Sequence, residues 1–157
     1  MVSKIDHPGV YIPPPLFFAA TFLVAVCIQQ YIPIDRAFFD SGMATILGVL
    51  IMVLGLVLLF PALYRFVKTK NTLVTIRPAN TLQTTGVYAI TRNPMYISLL
   101  LLYLGLSFII GNWWNMILLP LLVIVVQEYI IKREERCLTH RFGEAFTAYK
   151  TRVRRWI

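Results

Sequence analysis

Apolar residues fall in four long runs, at about residues 16–34, 43–67, 95–110 and 114–131, separated by short polar or charged segments. Each run is close to the ~20 residues that a helix needs to cross a ~30 Å hydrocarbon core. In lipid a helix satisfies its own backbone hydrogen bonds, so the runs predict helices. The third run is the shortest and suits a thinned or protein-shielded crossing. Gly111, Asn112, Trp113, Trp114 and Asn115 form a tight turn between the third and fourth runs. Its two interfacial tryptophans predict a C-terminal helical hairpin. Pro120 sits where it would kink the fourth helix. Beyond residue 131 the pattern changes. Leu138, Phe142, Phe146, Tyr149 and Val153 recur every three or four residues, which predicts an amphipathic continuation of the fourth helix. Gly143 is placed to break it in two. Basic residues fill much of the remainder, the pattern of an interfacial helix resting on anionic lipid.

Composition agrees with a bilayer setting. Of the 157 residues, 58% are hydrophobic and 14% charged, a charged share well below that of soluble domains. The reading is an all-α integral membrane protein of about four transmembrane helices and one domain. Residues 1–67 hold two spans; residues 68–157 hold an ordered cytoplasmic loop, the hairpin and the tail. The segment 65–92 carries five basic residues and the tail carries eight, whereas the hairpin turn carries none. The positive-inside rule then places loop, tail and both termini in the cytoplasm. The net charge of +8 reads as a topology and lipid-surface signal rather than a nucleic-acid footprint. Residues 1–15, with four prolines and no small-residue cleavage site after the next apolar run, do not read as a signal peptide. Cys27, Cys137, His7 and His140 form no disulfide or zinc pattern, and no metal is expected.

Candidate chemistry lies at the cytoplasmic ends of the spans. The polar segment 68–93 is too long to be a plain connection, and its interleaved apolar residues argue for order. At its end, Asn93 and Pro94 form a helix start with Asn93 as N-cap. Such an N-terminus beside Arg92 can hold a carboxylate or phosphate. In the stretch 132–136, Glu134 falls on the face of the apolar stripe and needs a partner there. Arg133, Arg136, Arg92 or a cationic ligand would each serve. Glu128 lies near the end of the fourth run, where an ionisable residue is either functional or paired with Lys132 one turn on.

These segments together resemble the integral-membrane methyltransferase superfamily that includes isoprenylcysteine carboxyl methyltransferases and phospholipid N-methyltransferases. The matching pieces are Gly86-Val87-Tyr88, Arg92-Asn93-Pro94-Met95-Tyr96, the hairpin, Glu134-Glu135, Leu138, Phe142-Gly143 and Tyr149, in that order over residues 78–155. The resemblance implies S-adenosylmethionine as methyl donor, held at the cytoplasmic face by Gln83, Tyr88, Arg92, Asn93, Pro94, Tyr96, Glu134 and Glu135. It also implies that the loop at residues 80–83 lends backbone contacts to adenine. The glycine fingerprint of a dinucleotide-binding fold is missing, which argues against a soluble-type cofactor site. Two positions depart from the isoprenylcysteine enzymes: Asn93 replaces His, and Ile130 replaces an arginine that would anchor a carboxylate acceptor. Arg133 and Glu128 are the acceptor-side candidates. The acceptor implied is amphipathic or lipid-like, such as a lipid amine, a hydrophobic thiol or an alcohol, entering sideways from the bilayer.

Two other readings compete. One is a non-enzymatic scaffold or assembly protein whose basic tail reads anionic lipid. The other is a small transporter, suggested only by Gln127 and Glu128.

Overall fold

The computed structural model describes residues 9–69 and 81–157, and all regular structure in them is helical. Helix α1 spans Pro14–Tyr31, α2 Gly42–Lys68, α3 Pro94–Ile110 and α4 Trp113–Val125. A π turn, Val126–Ile131, joins α4 without a break to α5, Lys132–Phe142; α6 follows at Glu144–Arg152. A 3-10 turn, Gly86–Ala89, precedes α3. The four apolar runs thus match helices within a few residues. Among the described residues three helices are long and apolar enough to cross a membrane: α1, α2 and the continuous Trp113–Phe142. The chain is a multi-pass membrane protein. Helix α3, at 17 residues, rises only about 25 Å.

The helices pack as two antiparallel pairs. In the first, α2 and α3 touch backbone to backbone through small residues. A Cβ at Gly105 would stand 2.6 Å from the Gly48 carbonyl oxygen, and one at Gly48 would stand 2.8 Å from that of Gly105. Gly55 faces Leu101 and Ser98 in the same way. Ala44, Gly48, Gly55 and Ala62 are the buried residues of α2, and large apolar side chains such as Leu50, Val57 and Phe60 face outward. Lipid is as apolar as leucine, so association inside it rests on close van der Waals contact, which small residues permit. The buried Ser98 and Ser107 donate to the carbonyls of Pro94 and Tyr103 four residues back, at 2.8 and 2.6 Å.

The second pair is α1 with α4. Trp114 Nε1 donates to the Ile32 carbonyl at 2.8 Å, and Asn112 Nδ2 to that of Ala25 at 3.2 Å. At the opposite end Phe17 meets Tyr129, with ring centroids 5.8 Å apart. The hairpin turn is tight because Gly111 adopts φ 71° and Asn112 caps α4 by accepting from the Trp114 N–H at 2.9 Å. Helical bonding passes through Pro120 and changes register only at Val126. Leu122, Val126, Ile130 and Glu134 are spaced by fours, and each such step drifts about 40° around an ordinary helix. The wider π turn absorbs that drift. Ile130 and Ile131 are both buried, and Glu134 stays on the inner face.

The tail departs from the lipid-surface reading in one respect. Its stripe does not lie open: Phe146, Tyr149 and Val153 pack with Leu138, Phe142 and Leu82 of the loop. Gly143, at φ 52°, divides α5 from α6 as the pattern predicts. The basic side chains Arg141, Lys150, Arg152 and Arg154 remain exposed.

The close approach of α2 and α3 makes a test. Gly105→Val should lower stability by about 1–3 kcal/mol, as overpacking does in a filled interface. Gly42→Ala, where a Cβ meets nothing within 4 Å, should leave the melting temperature in detergent unchanged or slightly raised.

Candidate active site

The ends of α2, α3 and α5 converge with the 3-10 turn and the last residues of the chain. The turn is set by Gly86, whose φ of 66° favours glycine. A Cβ there would meet Arg65 Nε at 2.6 Å, and the Arg65 guanidinium donates to the Thr85 hydroxyl. The Gly-x-Tyr spacing has a local cause: glycine allows the turn to fold against Arg65, and the turn drives Tyr88 inward. Tyr88 is buried, with its ring stacked on Phe66 at 6.1 Å. Tyr149 donates its hydroxyl to the Tyr88 carbonyl at 2.5 Å. The Tyr88 hydroxyl itself is buried without a hydrogen-bond partner.

Pro94 opens α3 as the sequence predicts, with Asn93 in the N-cap position. The Asn93 side chain does not cap, however. Its Nδ2 donates instead to the Arg155 carbonyl at 2.9 Å. One turn into α3, the Tyr96 hydroxyl donates to Glu134 Oε1 at 2.8 Å. This bond joins the start of α3 to the start of α5.

The adjacent carboxylates receive unequal partners. Glu135 is held by two arginines: Arg155 Nε and Nη2 reach it at 3.0 and 2.7 Å, and Arg92 Nη2 at 3.2 Å. Glu134 has the neutral hydroxyl of Tyr96, and among the described residues no cation pairs with it. Arg92 spends one nitrogen on Glu135, while its Nε and Nη1 are buried and unpartnered. Buried polar groups are almost always satisfied. Three buried atoms without partners, Tyr88 Oη, Arg92 Nε and Arg92 Nη1, lie at one end of the bundle. Burial pushes the Tyr88 phenol up, and Tyr149 and Glu134 add to the effect. Burial also pushes Tyr149 up to about 12, against the pull of Arg92. Both hydroxyls therefore stay protonated at neutral pH and act as donors rather than bases.

Tyr88, Arg92, Asn93, Pro94, Tyr96, Glu134 and Glu135 are thus brought to one end of the bundle. Gln83 is not joined to them by a hydrogen bond; its amide donates to Thr81 at 2.9 Å. Residue 80 lies outside the described residues. Glu128 pairs with Lys132 at 2.6 Å on the exposed face. Arg133 donates to the Gly9 carbonyl at 3.1 Å and covers the Tyr129 ring at 4.3 Å, which ties the N-terminal segment to the π turn. Ile130 is wholly buried in the core with Tyr96 and Val126. Sequence reading missed Arg155, Trp156 and Phe66, since each acts through a partner at least 20 residues away.

The sequence profile of the phospholipid methyltransferase family matches residues 43–145. The chain belongs to the phospholipid methyltransferase family. The match begins at the second helix, so likeness to these phospholipid methyltransferases extends beyond the motifs in the C-terminal half. An uncharacterized protein of Haemophilus influenzae is 36% identical over 63 residues, which are 40% of this chain and the whole of that protein. No solved structure matches.

The turn before α3 can be tested by a pair of substitutions. Gly86→Ala and Gly143→Ala both force a side chain into a positive-φ position, but only the first also collides with a neighbour. Thermal melts should show both destabilised, by about 1–3 kcal/mol for the strain alone, and only Gly86→Ala should also disturb the Arg65–Thr85 contact.

Proposed function

We propose that the protein transfers a methyl group from S-adenosylmethionine to an amphipathic or lipid-like acceptor at the cytoplasmic membrane face. The observation that carries this reading is the unequal treatment of the charges beside Tyr96. Among the described residues Glu134 has no cationic partner, and Arg92 has donors to spare. Together they suit a zwitterion, with Glu134 accepting from an ammonium and Arg92 donating to a carboxylate. The amino-acid end of S-adenosylmethionine is such a zwitterion, and family membership supports a methyl donor of this kind. The cofactor would supply an activated methyl on a sulfonium.

The chain's own residues have the remaining work of alignment and water exclusion. Tyr96 fixes the Glu134 carboxylate through its 2.8 Å hydrogen bond. The hydroxyl of Tyr88 is a further donor aimed by the turn. Phe66 stacks on the Tyr88 ring and Tyr149 fixes its backbone carbonyl, holding the tyrosine buried and away from water. No dedicated base is required if the acceptor is a neutral amine. A lipid amine also fits the acceptor side better than a carboxylate does. Ile130 presents no charge there, and Arg133 is engaged by Gly9 and Tyr129.

In this reading α3 completes a four-span bundle with both termini cytoplasmic, its short length compensated by α2 along one side and by local thinning of the bilayer. The exposed arginines and lysine of the tail rest on anionic headgroups. A purely scaffolding role is less favoured, because it gives no reason for unpartnered buried donors beside a carboxylate that meets no cation among the described residues.

S-adenosylhomocysteine should raise the melting temperature of detergent-purified protein, by an increment that grows with the logarithm of its concentration. Glu134→Gln should remove most of that increment. A melting curve unmoved at millimolar ligand would defeat the proposal. Incubation of total membrane lipids with methyl-labelled cofactor should yield a labelled lipid, and its identification names the acceptor.

A further inference from the structure

The last five residues run back across the site and bind it from three directions. The Arg92 N–H donates to the Arg154 carbonyl at 3.0 Å. The Thr91 hydroxyl and the Asn93 amide donate to the Arg155 carbonyl at 3.1 and 2.9 Å. Trp156 Nε1 donates to Gln127 Oε1 at 3.0 Å, on the π turn. The Arg155 guanidinium forks onto both oxygens of Glu135. This segment therefore ties the entry to α3, the π turn and α5 into one unit, across separations of 62 residues for Asn93 and 29 for Gln127.

The fork has a consequence for Arg92. A bidentate carboxylate–guanidinium pair is the preferred geometry for both partners. Glu135 has already given both oxygens to Arg155, so it offers Arg92 only a single side contact at 3.2 Å. Arg92 Nε and Nη1 are left without a partner. If Arg155 were absent, Glu135 would be free to turn and take a second donor of Arg92. That pair would compete with any anionic ligand.

We propose that Arg155 is a positioning residue: by occupying Glu135 it keeps an Arg92 donor open for the carboxylate of the methyl donor. The inference rests on the cofactor reading above. Arg155 touches no ligand in this arrangement and acts through Glu135.

The test is calorimetric binding of S-adenosylhomocysteine, and of its decarboxylated analogue, to detergent-purified protein. Arg155→Gln should weaken S-adenosylhomocysteine by about tenfold or more, the worth of a charge-assisted hydrogen bond. It should leave the decarboxylated analogue nearly unaffected. Adding Glu135→Gln to Arg155→Gln should recover most of the loss, because a neutral amide competes weakly for Arg92. A merely structural strap predicts the opposite: both ligands weakened equally, and the double variant worse than the single. Either of those results overturns the proposal, as does an unchanged affinity in Arg155→Gln. Wild-type protein that binds neither ligand overturns the cofactor reading itself, and this inference falls with it. Far-ultraviolet circular dichroism separates all of these from a variant that fails to fold. In that event Arg155→Lys, which keeps the charge but loses the fork, replaces it and should show a smaller selective loss; equal losses for both ligands would overturn the proposal.

Discussion

Two consecutive carboxylates at the end of a membrane helix impose the constraint on which this molecule is organised. Glu134 and Glu135 follow a π turn whose inner side chains, Val126, Ile130 and Ile131, are buried. Charge at that depth must be answered by partners. Neighbours in sequence point in different directions around a helix, so the two acids meet different surroundings. Glu135 turns to the loop and the chain end, where Arg92 and Arg155 meet it. Glu134 turns to α3, where Tyr96 gives it a hydrogen bond and no charge. Glu135 ties α5 to the loop and the chain end, and Glu134 is held by Tyr96, with no cation beside it among the described residues.

The remaining architecture keeps these groups in register. Close packing of α2 on α3 through Gly48, Gly55 and Gly105 brings Phe66 and Arg65 against the 3-10 turn. The turn in turn buries Tyr88. The pairing of α1 with α4 supports the long helix from the other side, and the π turn corrects its phase so that Glu134 still faces Tyr96. π turns are uncommon and concentrate at functional sites. Here the physical reason is plain: an apolar stripe spaced by fours would otherwise rotate away from the core before reaching the acids.

Much of this could be read directly. The four runs placed the helices, Gly111 the hairpin and Gly143 the break in the tail, while Gly86, Tyr88, Tyr96 and Glu134 came together through the family resemblance. The cap at Asn93 was legible only in part. Its position at the head of α3 is as read, but its side chain is drawn to Arg155, because a donor amide finds a backbone carbonyl there. Glu128 is held by Lys132 one helical turn away, as the local pattern allows. Arg133 reaches Gly9 across 124 positions, a contact that no local spacing signals.

By itself the sequence determined what depends on local covalent and solvation physics. Runs of apolar residues must form helices in lipid, and glycine at a positive φ must make a turn. Charge asymmetry must favour one face of the membrane. Tertiary structure alone decided which arginine meets which acid. Arg65, Arg92, Arg133 and Arg155 are chemically equivalent along the chain, yet one braces the turn, one is left with open donors, one anchors the N-terminal segment and one holds Glu135. Those assignments follow from packing distances of a few ångströms between elements far apart in sequence, and a side chain's partner is set by what the fold brings within its reach.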